Sequence, residues 1–271
     1  SATSPGLSVL KDKGYFFRTA PSDARQGEVL ARVLKSRRIK DIAVTFTNND
    51  YGKGLATSFE NAFKAVGGKV TISAAHEDGK ADYSAEVGAL SAAGSKHLAV
   101  FGYLDQGGKG IIQASIDSGA FSNFVLADGM IGESLTKAIG KELNGAVGTV
   151  PGGKSAGAQT YSAMAEKAGI KKDGPYVGES YDGAALLVLA MQAAGSPDRS
   201  AIQANMMKVA NAPGTKIGPG EIAKGLKILA SGGDVDYVGA TNVEFNPVGE
   251  VLGSFKELEV RNEKFETVKI H

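Results

Sequence analysis

From Asp23 onward, short apolar runs and amphipathic helical stretches take turns at a regular spacing. That alternation constrains the fold more than any other feature, because a strand followed by a helix before the next strand pairs in parallel. Asp23 and Gln26 have the spacing of a capping box ahead of a helix. Val29, Leu30, Val33 and Leu34 then lie on one helical face. Residues 42–46 form a buried-strand run, and Leu55, Phe59, Ala62, Phe63 and Val66 mark the next helix, which Gly67-Gly68 ends. Strands are predicted at 70–74, 98–101, 124–126 and 146–150. Helices fall between them, one capped by Asp82 and one marked by Ile111, Ile112 and Ile116. The second half reads differently, with helices at 158–168, 178–194, 199–210 and 221–230 and few strands. Residues 242–245, 249–260 and 264–270 read as short strands joined by turns at Asn246-Pro247 and Arg261-Asn262, an antiparallel end piece.

Composition removes several function classes. A net charge of +1 lacks the basic excess that phosphate neutralisation demands, so no nucleic-acid partner is expected. No apolar run approaches the ~18 residues of a membrane span. The absence of cysteine excludes disulfides, thiolate nucleophiles and cysteine metal sites together. With three histidines in 271 residues, and none at metal-ligand spacing, no metal or cofactor is expected. The chain opens on Ser1 with no initiator Met or signal peptide, so the sequence reads as processed or truncated.

In open α/β sheets, ligands sit at the carboxyl ends of the strands. The loops there are Thr47-Asn48-Asn49-Asp50-Tyr51-Gly52, His76-Glu77, Gly102-Tyr103 and Ala127-Asp128-Gly129. Asp50 reads equally as a helix cap, and Asp128 equally as a turn former before glycine. Two motifs suggest catalysis. Residues 148–155 match the phosphate-loop pattern G-x-x-x-x-G-K-[ST], but no later apolar strand ends in an Asp to hold Mg²⁺. Residues 153–157 match the G-x-S-x-G elbow, yet the one downstream histidine is the last residue, His271. No enzymatic activity is expected.

Taken in order, Ser1-Ala2-Thr3-Ser4-Pro5, Phe17-Arg18-Thr19-Ala20-Pro21, Asn48-Asn49-Asp50-Tyr51-Gly52-Lys53-Gly54, Asp82-Tyr83-Ser84, Gly102-Tyr103, Ala127-Asp128-Gly129-Met130, Gly148-Thr149-Val150-Pro151, Tyr181-Asp182-Gly183-Ala184 and Gly218-Pro219-Gly220-Glu221 carry a resemblance. The chain resembles the leucine/isoleucine/valine-type (type I) periplasmic solute-binding proteins of ABC transporters along essentially its whole length. The resemblance implies an α/β, two-lobed fold, each lobe a doubly wound mostly parallel sheet, with a hinge of three crossings near residues 19–21, 149–151 and 245–247. It implies one lobe from 1–20 plus 151–246, lacking the family's early βα units, and another from 21–150 plus 247–271. The phosphate-loop match would then be an interlobe hinge. It implies a monomeric, periplasmic protein that captures an amino acid by hinge closure for a membrane permease. Ser1, Ala2 and Thr3 would serve the ligand carboxylate, Asp128 its ammonium, and Tyr51 and Tyr103 the cleft wall. The ligand-sensing domain of a receptor or regulator shares the fold and stays open as a second reading, and a phosphate-loop nucleotide-binding protein as a third.

Overall fold

The computed structural model describes every residue except Ser1, Lys171 and Asp173. The chain divides into two compact units. The first holds Ala2, Leu7–Ser22 and Pro151–Ser254, and the second holds Thr3–Gly6, Asp23–Val150 and Phe255–His271.

The second unit opens with α1 (Asp23–Ser36), β1 (Asp41–Thr47), α2 (Asp50–Ala65), β2 (Lys69–His76), α3 (Ser84–Ser91) and β3 (His97–Phe101). A π-helical turn, Leu104–Gly108, leads into α4 (Lys109–Asp117), followed by β4 (Asn123–Leu126), α5 (Glu133–Ile139) and β5 (Val147–Pro151). The first unit contributes α6 (Ala156–Lys167), α7 (Val177–Ala194), α8 (Arg199–Ala210), β6 (Thr215–Ile217), α9 (Ile222–Ala230) and β7 (Val235–Tyr237). The chain closes in the second unit with β8 (Phe255–Arg261) and β9 (Lys264–Ile270).

The second unit's sheet has the order β2-β1-β3-β4-β5-β8-β9. The β1–β2, β1–β3, β3–β4 and β4–β5 pairs are parallel, and β8–β9 is antiparallel. Helices bury both faces of the parallel part. Leu30, Leu34, Phe59 and Phe63 of α1 and α2 pack with Ile42, Val44 and Phe101 in one layer. Val87, Leu90, Ile111 and Ile112 pack with Leu98, Val100 and Leu126 in another. This two-sided burial is why the strands read as unbroken apolar runs. In the first unit, Leu186, Leu189, Met206 and Val209 surround the short parallel pair β6–β7, with Tyr237 fully buried among them.

Four expectations are corrected. Asp23 and Gln26 do not form a capping box: the Asp23 N–H donates to the Thr3 carbonyl at 2.9 Å, and the Gln26 amide donates to Thr149. Residues 242–245 are not a strand. Val243 and Phe245 are buried, which produces the strand-like alternation. Their backbone, however, is held by the Asn211 side chain, which donates to the Phe245 carbonyl at 2.7 Å and accepts its N–H at 2.8 Å. A side-chain amide thus does the work of a neighbouring strand. The predicted strand 249–260 begins only at Phe255. Before it come Gly249 and Gly253, both at positive φ, and a single bridge from Glu250 to Arg18. Nor is Asp82 the cap of α3: Tyr83 holds the N-cap position without a side-chain cap bond, and Asp82 lies one residue earlier, accepting the Ser84 N–H at 3.0 Å.

Candidate ligand-binding site

Parallel strands carry their carboxyl ends to one edge, and in the second unit that edge collects the polar loops. Asn49 is the N-cap of α2; its side chain accepts the Gly52 N–H at 3.0 Å. Asp50 is therefore not the cap but the first helical residue, and its side chain is exposed. One residue on, the ring of Tyr51 stacks on that of Tyr103, with centroids 5.2 Å apart and planes 25° apart. The Tyr51 hydroxyl donates to Asp128 Oδ1 at 3.3 Å. Tyr103 comes after β3 and Gly102, and Asp128 after β4 and Ala127, so the sheet brings together three residues that the sequence separates widely.

Close approach of these loops depends on glycine. A Cβ on Gly129 would lie 2.4 Å from the Gly102 carbonyl oxygen and 3.0 Å from the Tyr51 hydroxyl. Asp128 is 7% exposed, a carboxylate taken largely out of water, where an unpaired charge is costly and a cationic partner is favoured. Burial raises the Tyr103 phenol above its usual range, and the charges of Asp128, Asp78 and Asp23 add to this against a lowering hydrogen bond with Asn49. Tyr103 therefore stays protonated and can donate.

Residues 3–6 pack at the same edge. Thr3 is buried and accepts the Asp23 N–H at the start of α1, and Ser4 Oγ donates to the Asp50 carbonyl at 3.2 Å. Ala2 is exposed and grouped with the first unit, where its carbonyl accepts from Arg18 Nη1 at 3.2 Å. Arg18 also reaches Glu250 at 2.6 Å and Ser8 Oγ at 2.8 Å. Ser1 lies outside the described residues. The structure thus gathers Tyr51, Tyr103, Asp128 and Thr3 on one unit. Sequence reasoning gave no role to Asn49, although its place just before a helical run is an N-cap signal. It also missed Thr47, whose hydroxyl donates to Asp78 Oδ2 at 2.8 Å. A separate cavity of about 380 Å³ in the first unit is lined by Phe17, Leu186, Met206, Phe245, Arg199 and Gln203 among others, with no carboxylate among its lining residues.

A carboxylate and two tyrosines thus stand together at the carboxyl edge of a doubly wound sheet, the edge where such sheets take ligands. The family model for periplasmic binding proteins matches residues 2–224, and the chain belongs to that family. Its sequence is similar to the Leu/Ile/Val-binding protein homolog 3 of Brucella melitensis, 39% identical over 113 residues, covering 40% of this chain and 29% of that protein. It is also similar to the leucine-specific-binding protein of Salmonella typhimurium, 28% identical over 225 residues, covering 80% of this chain and 59% of that protein. The chain thus spans well under two thirds of the length of these relatives. Among solved structures, the branched-chain amino acid transporter substrate-binding protein LivJ of Streptococcus pneumoniae, in complex with isoleucine, matches with a TM-score of 0.74 and 20% identity, covering all of this chain and 71% of that one. A solute-binding protein of an ABC transporter from Rhodopseudomonas palustris, in complex with p-hydroxybenzoic acid, matches with a TM-score of 0.74 and 18% identity, covering all of this chain and 70% of that one. The fold is that of the two-lobed type I periplasmic binding proteins.

Proposed function

We propose that the protein is an extracytoplasmic receptor that captures an amino acid, or a related small zwitterion, and passes it to the membrane permease of an ABC-type importer. The observation that carries this reading is the buried Asp128 carboxylate beside the stacked Tyr51–Tyr103 pair. A ligand ammonium placed there gains a charge-assisted partner in a site poor in water. Thr3, on the same unit as Asp128, is the proposed partner of the ligand carboxylate, so that both ends of a zwitterion are served. The tyrosine rings offer apolar faces to cover the ligand's carbon atoms. In this reading the protein binds and releases its ligand without transforming it.

The likeness to a protein that holds p-hydroxybenzoic acid raises a second reading, an aromatic acid stacked on the tyrosines. Asp128 weighs against it. A ligand that brings an anion and no cation would be repelled by that carboxylate. Mass spectrometry of ligand released from denatured protein, with calorimetry against the twenty amino acids and p-hydroxybenzoate, tests the two directly. Amino-acid binding with no response to p-hydroxybenzoate is expected; the reverse result would overturn the proposal. A permease and an ATPase encoded beside the gene would separate a transport receptor from a ligand-sensing domain of the same fold.

A further inference from the structure

His76 is the last residue of β2, and it is 1% exposed. Its Nδ1 lies 2.9 Å from Thr45 Oγ1. The single hydroxyl proton of Thr45 goes to the Ala74 carbonyl at 3.1 Å, so Thr45 can only accept from the ring. This network assigns the neutral imidazole its proton on Nδ1 and leaves a lone pair on Nε2. Nε2 is buried with no hydrogen-bond partner, and so is Oδ1 of Asp78, 4.0 Å away. Two acceptors therefore face each other, and one proton added at Nε2 would convert them into a charged donor–acceptor pair.

The ring also touches the ligand edge. A Cβ on Gly102 would lie 3.0 Å from His76 Nε2, and the Gly102 carbonyl packs on Gly129, the residue after Asp128. Tyr103 follows Gly102 in the chain. Imidazole, Gly102 backbone and the Asp128–Gly129 turn are thus in series.

We propose that His76 is a positioning residue for this site, and that its protonation draws Asp78 toward the ring, displaces the Gly102–Tyr103 turn and weakens ligand binding in acid. The inference rests on the assignment of Tyr103 and Asp128 to the ligand. A positive charge at His76 also opposes a ligand ammonium at the same sheet edge. The groups facing His76 are Asp78 and Glu77 from the following loop, Glu86 of α3 (paired with Lys80), the Tyr83 ring edge-on at 6.3 Å, and Thr45 of β1. Burial holds His76 below the usual imidazole range, against the upward pull of Asp78, Glu86 and Glu77. The sign follows: affinity is full while His76 is neutral, and it falls as pH drops through a value below 6.5.

Nitrogen-resolved NMR of the whole ligand-free protein should show the Nδ1–H tautomer at pH 8. The amide signals of Gly102 and Tyr103 should titrate with the midpoint of His76. Calorimetry from pH 8 to 5.5, with whichever of the twenty amino acids binds best, should show affinity falling by at most about tenfold per pH unit, the limit for one linked proton. His76→Asn keeps a donor toward Thr45 but has no group that gains a proton in this range; whatever its affinity at pH 8, its binding should stay flat as pH falls. In Asp78→Asn the amide can donate to Nε2 and hold the ring neutral, moving the fall to lower pH. Binding that is independent of pH while His76 titrates overturns this inference alone. Failure of every amino acid to bind at pH 8 overturns the functional reading beneath it, while the NMR still reports whether His76 and Gly102 are coupled.

Discussion

Asp128→Asn isolates the charge from everything else the side chain does. The amide has the same shape, fills the same buried space and still accepts from the Tyr51 hydroxyl, now 3.3 Å away. Folding should therefore change little. What disappears is the negative charge opposite the proposed ligand ammonium, at a site where Asp128 is 7% exposed and screening by water is weak. Removing one partner of such a desolvated pair costs about 2–5 kcal/mol. At 1.4 kcal/mol per decade this is a loss of about 30-fold to several thousandfold in affinity. Two controls bracket it. Tyr51→Phe removes a long hydrogen bond to that carboxylate, worth about 1.5 kcal/mol at the low end for a charged acceptor, or about tenfold. Asp50→Ala alters an exposed carboxylate in the first turn of α2 and should leave affinity within about twofold, as solvent-exposed charges usually do. Titration calorimetry of the three variants with the best-binding amino acid gives the comparison, with thermal melts to confirm folding. Wild-type affinity in the Asp128 variant would refute the reasoning, and so would an equal loss in the Asp50 variant.

Gly129→Ala places a methyl 2.4 Å from the Gly102 carbonyl. It should lower stability by about 1–3 kcal/mol through overpacking and weaken ligand binding, read by chemical denaturation and calorimetry. Asp182 accepts from the Tyr237 hydroxyl, the Ala240 and Thr241 N–H groups and the Thr241 hydroxyl, all within 2.8 Å. Asp182→Ala should cost more than about 3 kcal/mol in denaturation experiments, because buried donors lose their acceptor together. Burial raises the Glu257 carboxyl, but hydrogen bonds from His271 and Arg37 outweigh it and hold the group below its usual range. A depressed carboxylate contributes stability above its unfolded pKa of 4.5, and that contribution is lost as pH falls through the folded value. Wild type should therefore lose stability in acid more steeply than Glu257→Gln, as measured by melts across pH 3–6.

The parallel half of the second unit was legible because every central strand is covered on both faces. Residues 42–46, 98–101 and 124–126 are nearly all apolar, and no polar alternation competes with that signal. The helix at 199–210 was equally plain; Asp198 caps it by accepting the Ser200 and Ala201 N–H groups. β6 and β7 were invisible for the opposite reason. Each has three residues, and Thr215, Lys216 and Asp236 are polar. Their pairing is imposed by the packing of α7, α8 and α9 rather than by local pattern. The strand-like signal at 242–245 misled because burial alternates there while the hydrogen-bond partner is the Asn211 amide. Periodicity reports which side chains are buried, and it does not say what satisfies the backbone between them. The candidate site divides along the same line. Topology alone points to the loops after β1, β3 and β4, but the Tyr51–Tyr103 stack and the facing acceptors of His76 and Asp78 depend on distances between strands that no local pattern encodes.

The phosphate-loop string at 148–155 shows what such a match requires beyond its letters. A phosphate cradle needs backbone N–H groups free to point at the anion, followed by a helix N-terminus open to it. Here Gly148 lies inside β5, where a Cβ would meet Leu126 and Ile131, so its role is close packing of the sheet. The Gly152 N–H is already given to the Ser254 carbonyl at 2.9 Å. Ser155 is the N-cap of α6, its hydroxyl accepting the Ala158 N–H at 3.0 Å, so a protein oxygen already occupies the place an anion would take. Lys154 is exposed. Gly148, Gly152 and Ser155 are thus engaged in strand, turn and cap. Lys154→Ala should accordingly leave ligand affinity unchanged, and purified protein with ATP and Mg²⁺ should release no more phosphate than this variant does. Hydrolysis that is abolished by the substitution would show that the loop can open to an anion after all, and would overturn the binding-protein reading.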